Sequence, residues 1–571
     1  MFDAPAKRSM AAPATPFASN LVCSRSRFKW RLPKTVAAIL ASALVLQGCT
    51  GTTDVEYGVA GYVRGFFGGV VAEEPNAALI GRDILTAGGN AADAAVAISF
   101  ALSVSYPSAI SLGGGGVCIV HDGAIGVTEV IDFIPPAGTG AGGDRPSAIP
   151  TLARGMAALH ARYGQFPWSG VVSPAERMAR LGHRVSRALA VEMSRAAEPL
   201  YGEAAARAIF APSGRLVGEG DMLSQPELGA VLGQIRAGGA GAFYNGATAR
   251  RIVEGVQQAG GTLTVEDLRN YSPTWRLPLI VPFGDDELNL APPPAAAGPM
   301  LGVMWRMLID DDRYADAEPD ERAHLLAEVM KRAAADRKSW LGEGYSSTLP
   351  IEDVLDPDRV AGLMANYSPT RATPGAELDP KGRQLAEVIS GTGFVAVDRN
   401  GMAVVCDLTL YNPFGTGRVA PGTGILLAAA PGLRGRNPLS LSPAMVINTG
   451  TLTFRFGLAT GGGPLAPASK IQIMADTLLA GKPLDTAISE PRFLAVDVPD
   501  AVLVEKEGGD DLAASLTARG HPVSRLTWPG QASAIHCPNG VTGSSSRSAL
   551  CRVVHDNRGY GLSSFSDESG G

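Results

Sequence analysis

The chain has 571 residues, of which 46% are hydrophobic and 18% charged, and its formal net charge is −6. A chain of this length can bury a large core, arranged as one big domain or several smaller ones. The charge is mildly negative and no basic face with interleaved aromatic residues is found, which excludes nucleic acid as an expected partner. No run of about eighteen apolar residues occurs, so no transmembrane helix is expected.

Residues 1–48 have the pattern of a bacterial lipoprotein signal peptide. A cluster of basic residues precedes the apolar run 36–46, which is too short to cross a bilayer. The run ends in Leu46-Gln47-Gly48-Cys49, which resembles a lipobox, so we expect cleavage before Cys49 and lipid attachment to its thiol. An ordinary export signal is the alternative. The mature protein is expected at the periplasmic face, tethered to a membrane by its lipid, and Thr50 rather than Asp favours the outer membrane.

Apolar spacing and capping residues predict several helices along the chain. They cover residues 76–87, 94–104, a segment beginning at Ser173-Pro174-Ala175-Glu176, 226–235, a short turn after Thr264, 300–308 and 321–341. The helix at 94–104 is apolar nearly all round, which indicates burial. In the last helix, we expect four basic residues on a solvated face: Lys331, Arg332, Arg337 and Lys338.

Two glycine-bearing stretches introduce predicted strands. Gly113 to Gly116 lead into the apolar strand 117–120, and the absence of a following Gly-Lys-Ser/Thr favours close backbone packing over a phosphate cradle. Residues 390–398 (Ser-Gly-Thr-Gly-Phe-Val-Ala-Val-Asp) predict a buried strand after an exposed linker at 369–383. A hydroxyl residue at the head of a buried strand is where an N-terminal-nucleophile hydrolase carries its attacking group.

Four cysteines follow the lipobox: Cys118, Cys406, Cys537 and Cys551. The first two lie in apolar strands and are expected to be small buried hydrophobic residues. The last two flank a polar loop, and in an oxidising compartment they are a possible disulfide. His536 and His555 raise a zinc site as an alternative, but the spacing fits no zinc pattern. No metal and no cofactor are expected.

Several motifs, taken in order, resemble the γ-glutamyltransferase family over residues 58–565. They are Gly-Gly-Asn-Ala-Ala-Asp-Ala-Ala-Val-Ala at 88–97, the glycine run at 113–116, Gly-Ala-Phe-Tyr-Asn-Gly at 241–246, Phe-Gly-Thr-Gly at 414–417 and Pro-Gly-Thr-Gly-Ile-Leu-Leu at 421–427. The resemblance implies an α/β fold, the four-layer αββα sandwich of N-terminal-nucleophile hydrolases. It also implies a precursor that cuts itself into two subunits, here 49–390 and 391–571 of one intertwined domain, and a new N-terminal Thr as the nucleophile.

The nucleophile and the substrate clamps depart from the family pattern. Alignment on the strand places Gly391 at the nucleophile, Thr392 at the second Thr and Gly393 at the following His. The carboxylate-binding Arg falls on Ile134, and the acidic pair falls on Gly432-Leu433. Charge-assisted contacts of this kind contribute roughly 1.5–3 kcal/mol each, so without them a γ-glutamyl group would barely be recognised.

Other positions of the family site are retained in kind. Thr409 matches a family Thr, and Gly462 and Gly463 match the oxyanion glycines. Asn412 is a substrate-binding position displaced by one residue, because Tyr411 occupies the family Asn. Ser440 alone remains of a Ser-Ser pair.

Two functions are compatible with this pattern. The first is an exported lipoprotein with a degenerate γ-glutamyl site, which lacks ordinary glutathione hydrolase or transpeptidase activity. The second is a diverged amidase or acyltransferase that cuts itself at Gly391–Thr392 and uses Thr392 on a small amide or peptide. A shift of one residue along a strand reverses the side-chain direction, so this route requires a bulge near Gly391 or Gly393. Ser390 is a weaker candidate nucleophile.

Overall fold

A computed structural model describes residues 62–64, 68–139, 146–258, 260–378, 389–432, 437–527, 530–541 and 550–565. None of the helices in these ranges is long and apolar enough to cross a membrane. The predicted signal peptide, Cys49 and part of the predicted linker lie outside the described residues.

Two seven-stranded antiparallel sheets form the centre of the molecule. In spatial order the first contains Tyr62–Arg64 (β1), Leu550–His555 (β20), Gln531–Val541 (β19), Thr453–Gly461 (β15), Ala444–Asn448 (β14), Asp286–Leu290 (β9) and Leu279–Phe283 (β8). The second contains Leu562–Phe565 (β21), Gly68–Ala72 (β2), Thr392–Asp398 (β10), Ala403–Thr409 (β11), Gly115–Asp122 (β3), Val127–Phe133 (β4) and Thr274–Arg276 (β7). Short strands pair at His183–Arg184 (β5) with Met222–Leu223 (β6), at Val419–Ala420 (β12) with Ile425–Leu426 (β13), and as Phe493–Val496 (β16), Ala501–Glu505 (β17) and Val523–Leu526 (β18).

Helices cover the outer face of each sheet. The second sheet packs against Pro75–Thr86 (α1), Ala91–Ser105 (α2), Leu152–Tyr163 (α3), Trp168–Leu181 (α4), Arg187–Ala196 (α5), Glu198–Tyr201 (α6), Ala204–Phe210 (α7), Pro226–Gly238 (α8), Gly241–Tyr244 (α9), Ala247–Gln258 (α10) and Val265–Asn270 (α11). The first sheet packs against Ala297–Ile309 (α12), Arg313–Asp316 (α13), Arg322–Trp340 (α14), Ile351–Val354 (α15), Pro357–Leu363 (α16), Leu465–Met474 (α18), Leu484–Ser489 (α19) and Asp510–Ala518 (α20), with Gly375–Leu378 (α17) after α16. A third apolar cluster fills the space between the sheets. The predicted four-layer αββα fold is therefore confirmed.

Strand β10 is central because it is buried on both faces. Phe394 and Ala396 pack into the helix-side cluster, and Val395 and Val397 pack into the cluster between the sheets. All four side chains are fully buried, as predicted. A continuous apolar run suits a strand that is covered on both sides.

Most predicted helices are present within a few residues, but the helix start at Ser173 is wrong. Helix α4 begins at Trp168, and Pro174 lies inside it. Val171 and Val172 are fully buried on the face that Ala175 continues. Burial of these apolar residues extends the helix toward its N-terminus and outweighs the local cost of an internal Pro.

The solvated face predicted for α14 is also wrong. Lys331, Arg332 and Arg337 are buried, and the Lys338 side chain is 10% exposed. Lys331 Nζ lies 2.6 Å from Asp500 Oδ1, Lys338 Nζ lies 2.6 Å from Asp497 Oδ2, and Arg332 pairs with Glu328. The aspartates come from the turn between β16 and β17, far along the chain, so spacing within the helix could not reveal them.

The cysteines form two disulfides. Cys537 and Cys551 are joined, with an S–S distance of 2.04 Å. Cys118 and Cys406 are joined as well, so the expectation of two unpaired, hydrophobic thiols is wrong. They lie directly opposite each other on the antiparallel strands β3 and β11, and their Cα atoms are 4.1 Å apart. This distance suits side-chain contact between facing positions.

The glycine run before β3 serves close packing, as predicted. A Cβ built on Gly113 would lie 2.2 Å from Leu426 O, and one built on Gly116 would lie 2.2 Å from Asp407 O. No larger residue fits at these positions without moving the backbone. Within the predicted linker, Thr373 is buried rather than exposed. Its backbone N–H donates to the buried Glu328 carboxylate, which holds this part of the linker against α14.

Candidate active-site cavity

Two backbone amides bind one carbonyl at the head of β10. Gly462 N–H and Gly463 N–H, which follow β15, both donate to Ser390 O at N···O distances of 3.4 and 3.1 Å. Paired amides aimed at one oxygen are the arrangement that stabilises a tetrahedral oxyanion. The peptide bond that these amides polarise is Ser390–Gly391.

The next residue, Gly391, has no side chain with which to attack that carbonyl. Its backbone has φ +94°, a conformation that residues with a Cβ adopt rarely. A Cβ built there would lie 2.9 Å from Leu408 O. Residue 391, at which the family register predicts the nucleophile, therefore has no side chain and a backbone conformation that favours glycine.

Thr392 is buried, with 1% of its surface exposed, and it faces the same side of β10 as Phe394. Strand β10 pairs with β11 from Thr392 to Val397 without any register shift, so the bulge that would redirect Thr392 is absent from this pairing. Within the described residues its Oγ1 atom makes no hydrogen bond of good geometry. Thr392 is thus a hydroxyl residue on a regular strand.

Gly393, which the family register aligns with a His, is closely packed. A buried ion pair between Asp407 and Lys470 lies beside it. A Cβ built on Gly393 would lie 2.6 Å from Ala459 Cβ and 3.0 Å from Asp407 Oδ1. Lys470 Nζ lies 2.7 Å from Asp407 Oδ2 and donates to Ser442 O at 2.6 Å. Burial lowers the pKa of Lys470, and the Asp407 carboxylate opposes that shift.

The Glu73 carboxyl also lies at this strand head. It follows β2, is fully buried, and its Oε1 atom accepts the Gly461 N–H at 2.8 Å. Burial raises the pKa of Glu73 to about 8, although the Thr392 hydroxyl and the Gly461 amide act in the opposite direction. The carboxyl is therefore mostly protonated at neutral pH.

A small cavity of about 30 Å³ lies at this point. Its polar lining comes from Glu73, Tyr106, Ser108, Glu192, Ser390 and Gln531. A volume of this order holds about one water molecule, so it does not accommodate a glutamyl group. A larger cavity of about 430 Å³ lies near Tyr314, Asp476 and Lys482 and shares no lining residue with the strand head.

The remaining predicted site residues do not line the cavity. Thr409 Oγ1 accepts the Tyr411 N–H at 2.8 Å, and Asn412 Nδ2 donates to Gly415 O at 3.1 Å, so both stabilise their own turn. Ser440 lies half-buried in the loop before β14. Of the predicted catalytic residues, the structure brings Gly462 and Gly463 together with the head of β10, next to Thr392.

Two positions at which the resemblance predicts substrate-binding residues are part of the apolar core. Ile134 and Tyr411 are both buried and belong to the cluster between the sheets. The Tyr411 hydroxyl donates to Pro135 O at 2.8 Å, which anchors it beside the Ile134 segment. Packing therefore fills the space around both positions.

Sequence reasoning missed Glu73 and the Asp407–Lys470 pair. Glu73 and Glu74 directly follow the apolar strand β2. The position of a carboxyl at the end of a buried strand is the one sequence signal that could have indicated Glu73. Glu74 caps α1 by accepting the Ala77 N–H, whereas Glu73 lines the cavity. Asp407 and Lys470 are far apart in the chain and each resembles an ordinary charged residue.

Comparisons with known proteins agree with this architecture. The family model described as Gamma-glutamyltranspeptidase matches residues 77–561. The glutathione hydrolase proenzyme of Escherichia coli is 30% identical over 82% of this chain and 88% of its own, and that of Bacillus subtilis is 30% identical over 75% and 80%. Cephalosporin acylase from Bacillus halodurans shares the fold, with a TM-score of 0.74 and 22% identity over 91% of this chain and 99% of its own.

Proposed function

The chain belongs to the gamma-glutamyltranspeptidase family, and from that premise we propose that it is an exported, lipid-anchored member that stays uncleaved and lacks ordinary glutathione hydrolase and transpeptidase activity. A terminal Thr would supply both a hydroxyl nucleophile and the amine that activates it. The observation that carries the proposal is Gly391, which follows the polarised Ser390 carbonyl with no side chain and φ +94°.

The substrate-binding positions support the same conclusion. Ile134 places apolar core at the predicted carboxylate-binding position, and Tyr411 does so at the position of the family Asn. The cavity of about 30 Å³ is also too small for a glutamyl group. Each lost charge-assisted contact removes roughly 1.5–3 kcal/mol of binding free energy. A γ-glutamyl donor would therefore gain little from this site even if a nucleophile were present.

A second candidate is the amidase or acyltransferase that uses Thr392. It is favoured by the Thr392 hydroxyl beside the Glu73 carboxyl, because a carboxyl whose pKa lies close to the working pH can exchange a proton, and its ionised fraction can act as a base. Against it, the amides of Gly462 and Gly463 bind Ser390 O, one peptide bond away from the Gly391–Thr392 bond that this route must cut.

The proposed location, at the periplasmic face and favouring the outer membrane, rests on the signal-like residues 1–48 and the lipobox at Cys49. Two disulfides add support, because disulfides persist in oxidising compartments outside the cytoplasm. Metabolic labelling with a fatty acid tests the anchor. We expect label on the wild type and none on a Cys49→Ser variant.

A reduced denaturing gel of the mature protein, with intact mass, tests the absence of cleavage. Reduction is essential, because the Cys118–Cys406 disulfide would otherwise join the two pieces. We expect one species, whereas pieces of about 36 and about 18 kDa would overturn the proposal. The mass would then separate a cut before Gly391 from one before Thr392, and loss of the cut in Thr392→Ala would establish the second candidate.

A further inference from the structure

The cavity at the head of β10 is lined by polar atoms that have no partner. Ser108 Oγ, Ser390 Oγ and Gln531 Oε1 make no hydrogen bond within the described residues. Ser108 and Gln531 are 3% and 7% exposed. An unsatisfied buried polar group costs about 1–3 kcal/mol, so several in one cavity indicate a polar occupant.

The titratable groups that line the cavity are acidic. Glu73, Glu192 and Tyr106 line it, and among the described residues no Lys or Arg does. Burial first, and then the carboxyls of Glu192, Glu73 and Glu74, raise the pKa of Tyr106 well above its usual value. The nearby cations are already paired: Arg195 with Glu192, and Lys470 with Asp407.

Acceptors, an aromatic ring and a small volume together fit one kind of group. A primary ammonium presents three N–H donors on a compact cation, and an aromatic face adds cation–π attraction. The cavity rim includes the apolar residues Ile389, which is 46% exposed, and Pro413. We propose that this cavity binds the ammonium group of a small primary amine, with the alkyl part of the amine against Ile389 and Pro413.

This inference deepens the proposed function, since it assigns a ligand to a site that performs no acyl transfer. Removal of the nucleophile leaves a pocket in which Glu73 is the acceptor, held in place by the Gly461 amide. The groups that face the Glu73 carboxyl are Thr392, Tyr106, Glu192 and, across the sheet, Asp407 with its partner Lys470.

Isothermal titration with methylammonium chloride, in phosphate and in MOPS at matched ionic strength, tests the proposal. A bound cation requires an ionised Glu73, whose pKa is about 8 in the empty cavity. At pH 7 binding should therefore release close to one proton per amine, and the release should fade by pH 9. Tetramethylammonium, which has no N–H donor and is larger, should not bind, and potassium chloride controls for general charge.

Two variants and a surface control separate recognition from folding. Glu73→Gln keeps the shape and removes the charge, so we expect at least tenfold weaker binding and no proton release. Gln531→Leu removes one acceptor, so we expect severalfold weaker binding with proton release retained. Glu227→Gln, on the exposed part of α8, should match the wild type. Near-ultraviolet circular dichroism establishes that each variant is folded.

The inference is overturned if methylammonium gives no saturable heat at millimolar concentrations, if tetramethylammonium binds equally, or if Glu73→Gln binds like the wild type. These outcomes are independent of the reduced gel. A single band on the gel together with no amine binding would reject the proposed amine ligand and leave the uncleaved state in place. Two bands with amine binding reject only the uncleaved state.

Discussion

At the residue scale, burial strongly perturbs the Glu73 carboxyl of the site. Its pKa is about 8 in the folded protein, compared with an ordinary value of 4.5. The folded state therefore keeps a proton that the unfolded state releases between pH 4.5 and 8. Stability from this group is full below pH 4.5 and is lost as the pH rises to 8, with a total on the order of a few kcal/mol.

Glu73→Gln should remove this pH dependence. Relative to the wild type, the variant should gain free energy of unfolding progressively from pH 5 to pH 9, by a few kcal/mol. Urea unfolding at pH 5, 7 and 9 measures the difference, with Glu227→Gln as the exposed control. Stability differences that stay constant across this range would show that Glu73 titrates normally.

Gly391 sets the second residue-scale prediction, because its backbone conformation disfavours any residue that has a Cβ. Gly391→Thr should destabilise the protein by about 1–3 kcal/mol and should yield no hydrolysis of a chromogenic γ-glutamyl anilide. Gly239→Ala is the matched control: its φ is +68°, and a Cβ there meets no atom within 4 Å. It should cost only about 1 kcal/mol. Activity in Gly391→Thr would mean that one residue alone separates this chain from a working enzyme.

At the element scale, α14 is a helix whose charges are interior. Arg332 is 2% exposed and pairs with Glu328, which is fully buried. Removing one member of such a pair leaves an uncompensated charge, so Arg332→Met should cost about 3–5 kcal/mol. The double variant Arg332→Met/Glu328→Leu should recover much of that loss.

A solvent-exposed ion pair of the same protein is the control for the buried Arg332–Glu328 pair of α14. Arg187 and Glu219 are 60% and 54% exposed, so Arg187→Met should change stability by less than about 1 kcal/mol. Urea unfolding of the four proteins measures these differences. If Arg332→Met and Arg187→Met lose equal free energy of unfolding, the burial of Arg332 is contradicted.

The elements also show how far sequence reasoning reaches. Strand β10 and helix α2 were predictable, because each is a continuous apolar run between turn or capping residues. The Lys331 side chain was placed on the wrong face, since its partner Asp500 is distant in sequence. Likewise, the family register located Gly391, but only the packing of β10 against β2 and β15 brings Glu73 into the site.

At the scale of the whole molecule, strands from both sides of residue 391 are interleaved in each sheet. In the second sheet, β2 pairs with β10, and β11 pairs with β3; in the first sheet, β9 pairs with β14. The Cys118–Cys406 disulfide adds one covalent link between the two parts. Cleavage at the head of β10 would therefore break one bond and leave the hydrogen-bonded sheets and their shared core in place.

An engineered cut should leave the molecule assembled. With a site-specific protease sequence inserted before Ile389, complete cleavage followed by reduction should give two bands on a denaturing gel and one peak of unchanged size in gel filtration. Elution as two separate peaks would contradict this expectation, and the uncut protein under the same reductant is the control. Because the interleaved sheets do not need the cut, self-processing in this fold serves to free a nucleophile. Under the proposed function, glycine at position 391 leaves no nucleophile to free, so the chain keeps the whole architecture while remaining a single chain.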